Sequence, residues 1–359
     1  METLDINVSY GNGDSLMIDA SSYFYVYPGM DHVFQYLLSD LEDEKNCVVF
    51  HEIFSNRLIK FIWKKIDYHP TLNYLLNDWM TRICASFFVS PKVIKEGDIF
   101  IFSNIAIQYV STRFLKLIKR MGGQIVLYFL DDITNINSRI ALRKTREVDF
   151  DIVFSFDKKN AEQYGFQHMN TMYSRLKGID CIPKYGIVFI GSDKKRFGII
   201  ENVYQRLTNE GTIDKHFFSI FQTDKSNELK YQGKMRINQS MDYKDVIKIV
   251  QQSNCILDIV IGEQVGLSLR AYEAIVYNKK LLTNNPEIFN FQYYDNRFMQ
   301  YFSRVDEIDV AFVTEKIDVD YGYQDEFSPI YFLKQIRELL TRKEGALTNA
   351  NNDNTLPYI

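Results

Sequence analysis

The sequence predicts an α/β protein of two successive halves, each a parallel β-sheet with helical connections. Short apolar runs of strand length alternate with helix-length segments, which is typical of parallel sheets with right-handed crossovers. The alternation is interrupted between Arg175 and Lys184, where Gly178 and Pro183 fall. Because such halves usually face each other and bind ligands at the C-terminal ends of their strands, we expect a ligand site in a cleft between them.

In the first half, strands are predicted at residues 46–51, 98–103, 124–130 and 151–156. Each is a short buried-strand pattern of apolar residues bounded by polar ones. Helices are predicted at residues 57–66, at 105–121 and from residue 158 to 164. The Gly122-Gly123 pair ends the second of these helices, since glycine is common just past a helix end.

In the second half, strands are predicted at residues 185–190, 215–221, 255–261 and 280–283. Helices are predicted at 196–207, 242–251 and 329–340, and one more carries Glu273. The last residues, 343–359, are rich in Asn and Thr and are predicted to be disordered. We therefore expect an N-terminal domain at 1–178, a C-terminal domain at 179–342 and a disordered tail at 343–359.

The composition limits the classes of protein to which this chain can belong. With 359 residues the chain can form two domains with full cores, and its 25% charged and 46% hydrophobic residues are ordinary for a soluble protein. The net charge of −4 argues against a general attraction to nucleic acid. No run approaches the roughly 18 apolar residues of a spanning helix, and the N-terminus lacks the pattern of a secretory signal. These features predict a cytoplasmic protein.

The cysteines give no sign of a metal site. None forms a C-x-x-C pair, and each has apolar neighbours, which favours free buried thiols in a reducing compartment and no zinc. The four are Cys47, Cys84, Cys181 and Cys255.

The first candidate site is the segment GSDKKR, which directly follows a predicted strand and opens a helix. Gly191 allows close backbone approach beside Ser192, and Lys194, Lys195 and Arg196 can clamp a diphosphate. The alternative is a turn followed by a solvated basic helix start, but cations there oppose the helix dipole, which favours a ligand role. The segment is neither a G-x-G-x-x-G fingerprint nor a Walker loop ending in G-K-[ST].

The second candidate site is the turn and helix that follow the apolar run ending at residue 261. Gly266 lies in the turn, and Ser268, Arg270 and Glu273 lie within the helix. The helix start offers free N–H groups to phosphate, Arg270 adds a cation, and Glu273 can accept hydrogen bonds from ribose hydroxyls. The alternative is that Arg270 and Glu273, three residues apart, form only an exposed ion pair.

A general base is expected where a strand of the first half meets the cleft. Asp131 and Asp132 stand at such a strand end, and either can take a proton from an acceptor hydroxyl. The alternative is a turn whose carboxylates cap a helix. His51, which precedes Glu52 at another strand end, is a rival base.

Two predicted helices are basic on one side and apolar on the other, so they can lie on an anionic membrane surface. A solvated outer face is the alternative interpretation. The basic residues are Arg57, Lys60, Lys64 and Lys65 in one helix, and Arg113, Lys116, Lys119 and Arg120 in the other.

Together these motifs resemble GT-B glycosyltransferases of bacterial polysaccharide and lipopolysaccharide synthesis. The resemblance is carried by GSDK-x-R, SNCILDI, GLSLRAYEAI, NKKLLTNN and the closing DEFSPIYFLKQI, and it covers roughly residues 98–340. It implies two Rossmann-like domains, with a nucleotide-sugar donor held mainly by the second. Glu273 matches the glutamate that holds donor ribose, Ser268 and Arg270 are expected near the diphosphate, and the Gly191–Lys194 loop faces them.

The resemblance also implies transfer of a hexosyl or other sugar to a polysaccharide or lipid-linked glycan, without a metal or cofactor. Many retaining members carry two glutamates seven residues apart, and the first would fall at Val265, whereas Glu263 is out of register by two. Retention and inversion therefore both stay open. A non-catalytic scaffold of a glycan-assembly complex is the second hypothesis. An NAD-linked oxidoreductase is a third, which the missing fingerprint disfavours.

Overall fold

The structure, a computed structural model, describes residues 22–29, 32–50, 94–134, 136–176, 183–209, 215–261 and 266–353. Several sequence predictions fall outside these ranges. They concern the helix at 57–66 with its basic residues, and the residues His51, Glu52, Cys84, Cys181, Glu263 and Val265.

The described residues form two separate six-stranded sheets in which every neighbouring pair is parallel. The first has the order β2-β1-β3-β4-β5-β6, with strands Phe24–Tyr27 (β1), Cys47–Val49 (β2), Ile99–Ser103 (β3), Gln124–Phe129 (β4), Ile152–Ser155 (β5) and Gln167–His168 (β6). The second has the order β12-β11-β10-β7-β8-β9, with strands Tyr185–Ser192 (β7), His216–Phe221 (β8), Arg236–Ile237 (β9), Ser253–Asp258 (β10), Lys280–Thr283 (β11) and Met299–Tyr301 (β12). The predicted fold class, two Rossmann-like domains facing a cleft, is confirmed.

Helices connect these strands. They are Val33–Leu37 (α1), Thr112–Arg120 (α2), Ile136–Lys144 (α3), Lys158–Tyr164 (α4), Phe197–Asn209 (α5), Ser226–Lys230 (α6), Tyr243–Gln251 (α7), Leu269–Val276 (α8), Val310–Thr314 (α9) and Pro329–Asp353 (α10). Central strands such as β3 and β4 are buried along almost their whole length, because helices cover both faces of a parallel sheet.

The strand order of the second sheet determines where a ligand can bind. Numbered within that sheet, the order is the 3-2-1-4-5-6 arrangement of Rossmann domains, and it reverses between β7 and β10. A crevice forms outside the C-terminal ends of the strands at such a reversal. Here those ends carry Ser192 and Asp258.

The long C-terminal helix α10 leaves the second half and packs on the first sheet. The Phe332 ring lies 5.2 Å from that of Tyr128 and 5.5 Å from that of Phe154, centroid to centroid. Leu333 and Ile336 of the helix join the same buried cluster. The predicted domain at 179–342 therefore includes a helix that completes the core of the first sheet.

The predicted end of this helix was wrong. It continues through Asp353, whereas the sequence predicted a helix at 329–340 and disorder from residue 343. Residues 343–353 hold no proline that would end the helix.

Another correction concerns the predicted helix at 105–121. The chain forms a short 3₁₀ turn, Ile107–Tyr109, and α2 starts only afterwards. Ser111 ends the first piece, because its extended backbone and its hydroxyl, which accepts from the amide of Phe114 at 3.1 Å, cap a new helix. Strand β1, with the sequence FYVY, was missed altogether, although its aromatic and β-branched residues favour a strand.

Replacing Phe332 with alanine should destabilise the protein by about 3–5 kcal/mol, since a buried phenylalanine is removed from a closed core. Chemical unfolding followed by fluorescence measures the change. Arg342→Ala, on an exposed position of the same helix, should change the unfolding free energy by less than about 0.5 kcal/mol. Equal effects of the two substitutions would contradict the packing of α10 on the first sheet.

Candidate functional site

A cleft of about 530 Å³ opens between the two sheets, at the strand-order reversal of the second. Its wall on the second half is formed by the ends of β7 and β10 and the start of α8. Its wall on the first half is formed by α1, by Ile105, by the segment after β4 and by Phe156. Predicted site residues that line it are Asp131, Gly191, Ser192, Lys194, Arg196, Ser268 and Arg270.

The loop after β7 has an unusual backbone. Lys194 and Lys195 have φ angles of 44° and 68°, in the left-handed region that side chains other than glycine rarely adopt. Asp193 stabilises the turn, since its carboxylate accepts from the amide of Phe197 at 2.9 Å and from the hydroxyl of Thr223 at 2.7 Å. Residues held in such strained conformations cluster at ligand sites, and here Lys194 is brought to the cleft.

Arg196 connects the loops that follow β7 and β10. Its Nε donates to the Ser192 carbonyl at 3.0 Å, and Nη1 donates to the Ile259 carbonyl. A Cβ on Gly191 would lie 2.8 Å from Nη2, so a larger residue there would displace the guanidinium from this position. Burial lowers the pKa of Arg196, and Asp258 opposes that effect. Arg196 is thus a cation of the cleft lining that two backbone carbonyls hold in place.

Asp258, which sequence reasoning missed, is buried at the end of β10. Its carboxylate accepts from the hydroxyls of Ser268 at 2.8 Å and Thr283 at 3.0 Å. Burial raises the pKa of Asp258, while these two hydrogen bonds and the nearby cations Arg196 and Arg270 oppose the rise. The signal in the sequence is an acidic residue inside the otherwise apolar run NCILDIVI, directly before the glycine-bearing turn.

Two asparagines, also missed, fix the turn that follows β10. The Asn284 side chain accepts from the amide of Val260 at 2.7 Å and donates to its carbonyl at 3.1 Å. Asn285, which is fully buried, donates to the carbonyl of Gly266 at 3.0 Å. The signal is the pair of asparagines placed immediately after an apolar strand.

Gly266 brings the second half into contact with the first. Its φ is +106°, and a Cβ there would lie 2.9 Å from the ring of Phe156. Two residues later Ser268 caps α8, since its hydroxyl accepts from the amide of Arg270 at 3.1 Å. The helix therefore starts at the cleft, with its first residues in the lining.

Arg270 and Glu273 form a buried ion pair. The guanidinium of Arg270 donates to one carboxylate oxygen of Glu273, and the hydroxyl of Tyr243 donates to the other at 2.8 Å. Arg270 lines the cleft, whereas the side chain of Glu273 is 0% exposed and lies behind it. The pair is therefore not the exposed surface bridge that the sequence left open. Ribose binding by Glu273 stays a prediction.

Burial and mutual attraction together set the pKa values of Glu273 and Arg270. Burial raises the pKa of Glu273, and Arg270 is the strongest influence opposing that rise. Burial alone would lower the pKa of Arg270, but the Glu273 carboxylate raises it above the usual value. The guanidinium thus stays charged beside the cleft.

Asp131 faces the cations of the second half. Burial raises the pKa of the Asp131 carboxyl, Lys194 across the cleft opposes the rise, and Asp132 adds to it. Asp132 accepts from the amide of Thr134 at 2.8 Å, as a turn-capping carboxylate does. Asp131 thus lines the cleft, and its role as a base stays a prediction, while His51 lies outside the described residues.

No protein-family model matches the sequence, and no curated protein matches it. Among solved structures, TarM from S. aureus is 10% identical over 69% of this chain, with a TM-score of 0.45, and the chain covers only 56% of TarM. The S. aureus MnaA–UDP structure is 12% identical over 75% of this chain and 82% of MnaA, with a TM-score of 0.44. Spinosyn rhamnosyltransferase SpnG is 10% identical over 72% of this chain and 79% of SpnG, with a TM-score of 0.36. Because these identities and TM-scores are low, the function of this chain has to be inferred from its own residues.

Within the part of the chain that the structure describes, no helix is both long and apolar enough to cross a membrane. Of the four cysteines, the two that fall in the described ranges, Cys47 and Cys255, are free thiols. Burial raises the pKa of each to about 12, so neither is a reactive thiolate at neutral pH.

Substituting alanine for Gly266 should destabilise the protein more than Gly322→Ala does. Both positions have positive φ, which costs an alanine roughly 1–2 kcal/mol, but only at Gly266 does the new methyl group collide with another side chain, that of Phe156. We expect an additional loss of about 1–3 kcal/mol, measured by urea unfolding. Equal losses would show that the two halves do not meet at this glycine.

Proposed function

We propose that the protein is a glycosyltransferase that moves a sugar from a nucleotide-sugar donor to a glycan acceptor. The observation that carries the proposal is the grouping of Lys194, Arg196 and Arg270 at the strand-order reversal of the second sheet, opposite the Asp131 carboxylate of the first half. Cations at a strand-order reversal suit a diphosphate, and a carboxylate across the cleft suits activation of a hydroxyl.

The donor's diphosphate is held by Lys194 and Arg270 in this proposal, with the start of α8 providing backbone N–H groups. These groups are fixed before the ligand arrives, so they can stabilise the negative charge that develops on the leaving diphosphate without a metal ion. Arg196 adds positive potential beside them. Glu273, whose two carboxylate oxygens are already bonded, acts through Arg270.

The acceptor hydroxyl is deprotonated by Asp131 in this proposal. The wall around Asp131 is largely apolar, formed by side chains such as Phe34, Leu130, Phe156 and Met172. Such a wall suits the ring faces of sugars and the lipid-proximal part of a lipid-linked glycan. A cytoplasmic enzyme of surface-polysaccharide synthesis, resting on a membrane through basic helices such as α2, fits this interpretation.

A thermal-shift screen of UDP-, GDP-, CMP- and dTDP-sugars tests donor binding. A bound donor at 100 times its Kd should stabilise the protein by roughly 2.7 kcal/mol. Arg270→Ala should weaken binding of that donor at least about tenfold, because a charge-assisted hydrogen bond is lost. The control Arg146→Ala changes an exposed arginine that does not line the cleft and should leave affinity unchanged. Binding without transfer to any acceptor would indicate a scaffold instead.

The pH profile of kcat/KM tests Asp131 as the base. Activity should rise with pH as Asp131 loses its proton, at a pH above the ordinary aspartate value because burial raises its pKa. Lys194→Gln removes the cation that lowers this pKa, so the acidic limb should move to higher pH. Asp132→Asn removes the carboxylate that raises it, so the limb should move to lower pH.

Asp131→Asn provides the matched loss-of-function variant and should reduce kcat by about 10²- to 10⁴-fold. An acidic limb that stays in place in both the Lys194 and the Asp132 variants would exclude Asp131 as the titrating base.

A further inference from the structure

Tyr243, at the start of α7, reaches the ion pair of the cleft from behind. Its hydroxyl donates to Oε1 of Glu273 at 2.8 Å, while Oε2 of the same carboxylate accepts from Arg270. Both oxygens of Glu273 are thus held, one by a neutral donor and one by the cation. Tyr243 itself makes no part of the cleft lining, so any influence on a ligand must pass through Glu273 and Arg270.

Hydrogen bonds to both carboxylate oxygens of Glu273 fix the direction of the Arg270 guanidinium. Arginine has a long side chain with high rotamer entropy, and a single carboxylate contact leaves it several orientations. If the Tyr243 hydroxyl were absent, Oε1 of a fully buried carboxylate would lose its hydrogen bond. The carboxylate would then turn to share its charge differently with Arg270.

The start of α7 is itself anchored on the first half. Asp242 caps the helix by accepting from the amide of Lys244 at 2.8 Å, and the same oxygen accepts from the hydroxyl of Tyr36 in α1 at 2.7 Å. The rings of Tyr36 and Tyr243 lie 5.9 Å apart, centroid to centroid. The position of the Tyr243 hydroxyl is therefore set by packing from both halves.

We infer that Tyr243 is a positioning residue of the donor site, which acts through Glu273 to hold the Arg270 guanidinium where a diphosphate binds. The inference rests on the proposed function. It assigns Tyr243 an effect on the diphosphate part of the ligand and none on the nucleoside part.

Calorimetric titration tests this with the nucleotide that the donor screen selects. Nucleoside, nucleoside monophosphate and nucleoside diphosphate are titrated separately into wild type and Tyr243→Phe. The variant should bind the diphosphate about 5- to 30-fold more weakly, the loss of one buried hydrogen bond to a charged group, and should bind the nucleoside unchanged. A general loss of structure would weaken both ligands alike.

Tyr231→Phe is the matched control. Tyr231 is also buried, and its hydroxyl also donates to a carboxylate, that of Glu201 in α5, but neither residue lines the cleft. Its substitution should change diphosphate affinity by less than about twofold. A second comparison places Tyr243→Phe in an Arg270→Ala background, where its effect should disappear because the residue through which it acts is gone.

The outcomes separate the two proposals. If wild type binds no nucleoside diphosphate, both the proposed function and the role assigned to Tyr243 are wrong. If wild type binds and Tyr243→Phe binds equally well, only the positioning role is wrong. The positioning role is also wrong if the loss persists in the Arg270→Ala background or extends equally to the nucleoside.

Discussion

The site depends on mutual neutralisation between buried carboxylates and half-buried guanidiniums at the cleft. Asp258 and Glu273 are buried carboxylates, and Arg196 and Arg270 are the guanidiniums nearest to them. Alone, any of these ions would be too costly to bury, and removal of one partner from such a pair typically costs several kcal/mol. The two carboxylates and the two guanidiniums therefore depend on one another. Their interactions hold the end of β10, the start of α8 and the loop after β7 together at the cleft.

The strand order explains why the charges gather there. In the second sheet the chain moves outwards from β7 in one direction and from β10 in the other, so the two connecting loops diverge and leave a crevice. Polar side chains close its floor: Thr283, Asn284 and Asn285 bind the turn after β10 through side-chain hydrogen bonds. The described parts of these loops are thus held by hydrogen bonds without any ligand, which favours a preformed anion site over one that folds around its ligand.

The sequence predicted the alternation of strands and helices and seven of the residues that line the cleft, because apolar periodicity and strand-end polarity are local signals. It did not predict β1, which has only four residues, nor the break at Ser111, which depends on a single capping hydroxyl. Arg270 and Glu273 lie on one side of the helix, so the sequence did not show that Glu273 is behind Arg270. The hydrogen bond from Tyr243, which is distant in the sequence, holds Glu273 away from the cleft while Arg270 lines it. Asp258 was recognisable as an acid within an apolar run, but its partners are ten and 25 residues away.

The crossing of α10 onto the first sheet means that the two halves are not separable folding units. A fragment ending at residue 178 would keep Phe24, Tyr128 and Phe154 but lose the helix that covers them. Its first sheet would then present a broad apolar face to solvent, which invites self-association. Evolutionary exchange of one half between related chains would meet the same obstacle: a transplanted N-terminal half needs a matching final helix, encoded at the opposite end of the chain.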